Sequence, residues 1–394
     1  MGLPIDNPKK RCYNSGRMKI YADYAATTPL DKRVLDAMTP YLTGIFANPS
    51  SSHGFGREAL RALDAARDRV AELLNAKPSE VYFTASGSEA DNFAVKGFAH
   101  ALGAQNCKQI LISAIEHHAL INTATALQRE GFDVKSIPVR EDGIVDVAAL
   151  KELLGEPTSL VCVMTANNEV GTVQPIAEIC KLAHQAGAKF FTDAVQGALY
   201  YDLDVQKTDV DMLSVSAHKF YGPKGMGALF IKKGVPMSAI IDGGEQERGL
   251  RGGTSNTAGA VGLACAWALA ATEREESVEQ VKTVRDRFIA WVREEIPTAV
   301  LNGDERLRVP SNANFSFIGA SGTAVLHRLD LAGIAASAGS ACASGSIEPS
   351  HVLRAMGLSQ ERTQSAVRFT FGKMNTLSDA EEIVKQLKGI LKEV

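Results

Sequence analysis

No Cys-x-x-Cys pair and no Cys/His spacing of a zinc site occurs in the 394 residues; Cys12, Cys107, Cys162, Cys180, Cys265 and Cys342 are scattered. This predicts no metal and fits a reducing, cytoplasmic setting. An excess of either charge is also missing: the formal net charge is -3, which gives no reason to expect direct nucleic acid or membrane binding. The N-terminal MGLPIDNPKKRCYNSGRMK lacks an apolar h-region, so residues 1–18 read as a disordered leader rather than a signal peptide, with Met18 a candidate natural start. Residues 252–272 carry no charge but are mostly Ala, Gly and small polar residues, which argues for a buried soluble helix capped by Ser255 or Thr254 and against a membrane span. There is no internal repeat, no low-complexity tract, and no Gly-x-Gly-x-x-Gly after the first strand to suggest a dinucleotide.

What is present is an ordinary soluble composition, 45% hydrophobic and 22% charged, in a chain long enough for one large domain and a smaller companion. A small-molecule site is the default. Seven short apolar runs, VYFTA, QILIS, VKSIPV, LVCVMT, KFFTD, MLSVSA and GALFI, alternate with stretches of helical period such as EADNFAVKGFAHAL and IAEICKLAHQAG. The pattern predicts an α/β fold with a mostly parallel central sheet covered on both faces. The large domain is expected over residues 30–272. A smaller α/β domain is expected from residues 19–29 plus 273–394, with a charged helix over 273–295, a strand NANFSF, a helix near TAVLHRLDLAG and a closing helix SDAEEIVKQLKGILKEV.

Ligands of open α/β sheets bind outside the carboxyl ends of the strands, so those ends are where to look for a site. VYFTA is followed by Gly87, which permits close backbone approach, and Ser88, read as opening a helix whose free N–H groups suit a phosphate. The later ends carry His117 and His118, then Asn168, then Asp193 and Gln196, then His218 and Lys219. Each has a bland alternative: Ser88 or Asp193 as a helix cap, one of the two histidines as structural, Asn168 and Gln196 as loop ties. Lys219 resists that treatment, because a lysine between a buried run and a Gly-Pro turn is desolvated with no acidic neighbour in sequence. Lys224 reads as a solvated loop lysine. Together the set matches pyridoxal phosphate, which needs a lysine for its Schiff base, an acid for its ring nitrogen, phosphate donors at a helix N-terminus and a flat group over the ring.

Two further features stand downstream. Cys342 lies among small residues and glycines in ASAGSACASGSIEPSHVL, which reads as a mobile loop with a reactive thiol. Arg368 sits in the apolar run AVRFTFG and needs a carboxylate partner, from the protein or from a substrate.

The segments IYADYAATTPLDKRV, NPSSSHGFGREA, NNEVGTVQPI, DAVQ, SAHKFYGPKG, RGGT and GSACASGSIEPSHVLRAMG resemble those of the NifS/IscS-like cysteine desulfurases, fold type I pyridoxal phosphate enzymes. The long stretch after the cysteine resembles the mobile-loop group rather than the SufS-like group. Where relatives often read Ser-Gly-Ala-Thr, this chain reads Ala85-Ser86-Gly87-Ser88, which keeps a hydroxyl. The resemblance implies Lys219 as the Schiff-base lysine, Asp193 as partner of the ring nitrogen and His117 stacked on the ring, moving protons. It implies Gly87, Ser88, Ser216 and His218 around the phosphate, with Thr254 reaching it from the other subunit of a homodimer. Gln196 would bond the cofactor's phenolic oxygen, Asn168 and Arg368 the carboxylate of L-cysteine. Cys342 would take the sulfur as a persulfide, leave L-alanine, and pass the sulfur to an iron–sulfur scaffold or a tRNA-thiolation protein. The rivals are another class V aminotransferase or lyase, including a selenocysteine lyase, and a non-catalytic sulfur-carrier or assembly subunit.

Overall fold

The structure is a computed structural model that describes residues 20–338 and 350–393. The leader expected over residues 1–18 and Cys342 lie outside the described residues. Twelve strands are described: β1 Ile20–Tyr21, β2 Val81–Thr84, β3 Gln109–Ser113, β4 Val134–Ile137, β5 Thr158–Cys162, β6 Lys189–Asp193, β7 Met212–Ser216, β8 Gly227–Ile231, β9 Ala299–Asn302, β10 Asn312–Phe317, β11 Ile334–Ala335 and β12 Ala366–Thr370.

The seven apolar runs of the sequence form one sheet in the order β2-β8-β7-β6-β5-β3-β4. β8 alone runs antiparallel, to both β7 and β2, so the remaining six point the same way. A helical crossover is what lets two successive strands run parallel, and β7 reaches β8 without one, through a 3-10 turn. Alternation along each strand sorts side chains to opposite faces. Val81, Phe83, Leu111, Leu213 and Val215 join one buried cluster with Val70 and Trp267. Tyr82, Ile110, Ile112 and Met212 join another with Phe93 and Phe98. Because six strands share a direction, the ends of β2, β3, β5, β6 and β7 open on one edge, and the strand order reverses at β3.

The charge-free stretch forms the helix Thr257–Thr272, with Trp267 buried against Phe220 at 5.6 Å between rings. Its cap is Asn256, which accepts from Gly259 N at 2.9 Å, and not Ser255 or Thr254, which stay in the preceding loop. A further cluster gathers Phe288 with Phe315, Phe369 and Phe371 around the antiparallel sheet β12-β10-β9, and takes in Ile20 and Ala22 from the other end of the chain. Among the described residues no helix is long and apolar enough to cross a membrane.

Candidate active site

The strand β7 ends at Ser216, and Ala217–Lys219 turn once as a 3-10 helix. Gly222 permits that turn: its N–H bonds Ala217 O at 2.9 Å, and a Cβ there would lie 2.8 Å from Ala217. Lys219 therefore sits just past the strand, between it and the Gly-Pro turn as expected, with its Nζ donating to Ala25 O at 2.6 Å and Ala26 O at 2.8 Å. Burial, and secondarily Arg368, lower its pKa to about 8 against the pull of Asp193 and Asp23. An amine so placed exchanges its proton near neutrality.

Lys219 lines a cavity of about 330 Å³ together with Gly87, Ser88, His117, Asn168, Asp193, Gln196, Ser216, His218 and Arg368. At one end is the start of the helix Gly87–Leu102. Its cap is Ser86, whose Oγ accepts from Glu89 N at 3.0 Å, which leaves Ser88 inside the first turn instead of opening it. A Cβ on Gly87 would come within 2.9 Å of Val195 and 3.3 Å of Ser216, so only glycine fits between those neighbours and the cavity. First-turn N–H groups of a helix have no partner within it. They meet the Ser88 and Ser216 hydroxyls and His218 here, a donor set suited to a phosphate. His218 is tied by Nδ1 to Thr27 Oγ1 at 3.1 Å, and burial, with Lys219 and Lys224, lowers its pKa to about 4.

Deeper in, Asp193 at the end of β6 accepts from Val195 N at 2.8 Å, and burial holds its carboxyl above the ordinary carboxylate range. His117 caps the helix His118–Arg129, its Nδ1 accepting from Ala119 N at 3.1 Å. The neutral ring consequently carries its proton on Nε2. Burial and then Lys219 lower its pKa to about 4, so the imidazole is uncharged near neutrality. Gln196 Nε2 donates to Ala25 O at 3.1 Å. Phosphate donors at one end, a carboxylate at depth, a flat imidazole and a lysine of lowered pKa together fit pyridoxal phosphate.

Arg368 in β12, which also lines the cavity, is 3% exposed. Its Nη2 meets Asp23 Oδ1 at 2.7 Å and its Nη1 donates to Asn168 O at 2.8 Å, so a protein carboxylate is among its partners. Thr254 lies apart, lining a cavity of about 150 Å³ with Ala85, Arg251 and Asn256. The sequence reading passed over Asp23, Asp91 and Glu169. Asp91 stands four residues after Gly87, the spacing that places two residues on one helix face, and Glu169 directly follows Asn168.

Asp91 lines the same cavity, is buried, and accepts from Ser214 Oγ at 2.6 Å. Burial, then the charge of Asp193, push its pKa well above the usual range. Folded Asp91 keeps a proton that the unfolded chain has released. Its contribution to stability is therefore complete at low pH and is lost as pH rises past the ordinary carboxylate value, by about 1.4 kcal/mol per pH unit while the folded form stays protonated. Asp91→Asn removes this titration and keeps an acceptor for Ser214. Thermal melts should show the variant gaining on the wild type as pH rises above about 4, whereas a constant difference would mean that folded Asp91 is ionised.

The aminotransferase class-V family matches residues 20–383. The cysteine desulfurase IscS of Clostridium botulinum is 46% identical over 377 residues, 95% of each chain. That of Methanosarcina thermophila is 42% identical over 392 residues, 100% of this chain and 96% of its own. Among solved structures, one described as a NifS-like protein superposes with a TM-score of 0.90 at 35% identity, over 96% of this chain and 100% of that one. Another, SspA in complex with cysteine, has a TM-score of 0.80 at 35% identity, over 91% of this chain and 100% of that one.

Proposed function

The chain belongs to the class-V aminotransferase family and, within it, to the pyridoxal-phosphate-dependent cysteine desulfurases, and from that premise we propose that its cavity takes L-cysteine, delivers the substrate sulfur to Cys342 as a persulfide and releases L-alanine. The observation that carries the reading is the convergence of Lys219, Asp193, His117 and Arg368 on one cavity.

Bound pyridoxal phosphate supplies an aldehyde that joins to amines and a protonated ring that accepts the electrons left by a departing α-proton. Lys219 would bond the cofactor at rest and would take the α-proton at Nζ, for which a pKa of about 8 suits it. Asp193 would pair with the ring nitrogen, His117 would move protons at Nε2, and Gln196 would bond the phenolic oxygen. Gly87, Ser88, Ser216 and His218 hold the phosphate. Arg368 and Asn168 orient the substrate carboxylate. The Cys342 thiolate forms an S–S bond with the substrate sulfur as the Cβ–S bond breaks; the electron pair stays with the carbon skeleton, which gains a proton at Cβ and leaves as alanine. Cysteine plus thiol thus balances alanine plus persulfide.

Thr254 reaches the phosphate from the second subunit of a homodimer. Its place in an adjoining cavity of the same chain, not the one that holds Lys219, supports that, as do Leu42, Phe46 and Phe55, exposed at 56%, 75% and 69% on one stretch of the chain. The persulfide then passes to an acceptor protein, an iron–sulfur scaffold or a tRNA-thiolation protein. Cys107, Cys162, Cys180 and Cys265 are free thiols, in keeping with the cytoplasm.

The test is alanine formation from L-cysteine with no keto acid present, which an aminotransferase cannot sustain. In the same assay Arg368→Ala should raise the KM for cysteine roughly 10- to 150-fold, the loss of a charge-assisted, two-point contact, with cofactor content nearly unchanged. Loss of cofactor or of folding would make the Asp23 pair the whole of Arg368's role.

A further inference from the structure

A carboxylate stands in the first turn of the helix that carries Gly87 and Ser88. Glu89 Oε2 accepts from Ala85 N at 2.8 Å, while Glu89 N donates to Ser86 Oγ, so this side chain and its backbone shape the Ala85–Ser88 turn. The turn is pinned from behind as well: Thr84 Oγ1 donates to Ser86 O at 2.9 Å, and a Cβ on Gly227 would lie 2.8 Å from the Ser86 carbonyl. An acidic group at that position favours a bare helix N-terminus. It repels a phosphate held there.

Arg251 removes the repulsion. Its Nε and Nη2 bond the two carboxylate oxygens of Glu89 at 2.8 and 3.1 Å, and the two side chains are only 19% and 13% exposed. The loop that brings it is fixed in an unusual path. Glu247 and Arg248 both adopt left-handed backbone, φ 46° and 59°, which non-glycine residues hold only when their surroundings impose it. Buried Arg67 bonds the Glu247 carboxylate at 2.7 and 2.8 Å, Phe83 N donates to it at 3.0 Å, and Arg248 donates to Val81 O at 2.7 Å.

We infer that Arg251 is a positioning residue of the phosphate site: by cancelling the charge of Glu89 it lets the turn that Glu89 shapes accept a dianion, and so sets the preference for the phosphorylated cofactor over pyridoxal. The inference rests on reading Gly87, Ser88, Ser216 and His218 as the phosphate cradle. The full chain, stripped of cofactor, is titrated with pyridoxal phosphate and separately with pyridoxal, followed by absorbance. Arg251→Gln should weaken pyridoxal phosphate binding by about tenfold or more and leave pyridoxal unchanged. Arg251→Lys should recover part of the loss, and the Glu89→Gln/Arg251→Gln pair most of it. If Arg251→Gln weakens both ligands alike, or the pair is no better than the single variant, Arg251 only clamps the loop. Should Arg251→Gln fail to fold, Glu89→Gln decides: it should hold or tighten pyridoxal phosphate, and weaker binding overturns the inference. A wild-type protein that does not distinguish the two ligands would instead sink the cradle reading itself.

Discussion

Lys219→Ala is expected to yield a protein without the yellow colour of a lysine-bound cofactor and with alanine formation reduced by more than roughly 10⁴-fold, beyond the 10²–10⁴ that a positioned base alone contributes. On the proposed roles two functions would be lost at one atom: the bond to the cofactor at rest, and the base for the α-proton. Only a lysine inside the cavity can perform both. Lys219 Nζ is held there by Ala25 O and Ala26 O with its pKa lowered to about 8, whereas Lys224 is exposed beyond the turn. Lys224→Ala should therefore keep the colour. Borohydride reduction and peptide mapping decide between the two, and a cofactor adduct on Lys224 would overturn the assignment.

Cys342→Ser should stop alanine formation while leaving the earlier steps intact. On the proposed roles, binding of pyridoxal phosphate and the spectral response to L-cysteine depend on Lys219, Asp193, His117 and Arg368, which the substitution leaves in place. Sulfur transfer does not survive, because a serine hydroxyl has a far higher pKa than a thiol and cannot hold a sulfane sulfur. The measurement is alanine production with and without a reductant, alongside persulfide labelling of wild type and variant. Alanine near the wild-type level from Cys342→Ser would reduce the cysteine to a bystander and return the chain to the lyases or aminotransferases.

The central sheet was legible because buried strands announce themselves as apolar runs, and the cavity because groups at parallel strand ends share an edge whatever their distance in sequence. The helix caps were less so. Ser86, Ser88, Thr254, Ser255 and Asn256 are all competent cap residues, and the choice falls on whichever can place its oxygen over the first-turn N–H groups, which is decided by backbone angles. The run MLSVSA was read one residue too long, because the sequence does not show that the strand gives way to a 3-10 helix at Ala217. Asp23 escaped notice for another reason: its partner Arg368 is 345 residues away, and no local pattern joins them.

That separation has a consequence for how the protein is made. The chain leaves the ribosome from its N-terminus and its domains fold largely in that order, so Lys219 and Asp193 can reach their strand ends while the last part of the chain is still being synthesised. The guanidinium that the Asp23 carboxylate waits for arrives with β12. A nascent chain can therefore have Lys219 and Asp193 in place before Arg368, the residue proposed to hold the substrate carboxylate, has been made. Contacts of such long span also slow the final closing step, so the Asp23–Arg368 pair is expected to be among the last to form.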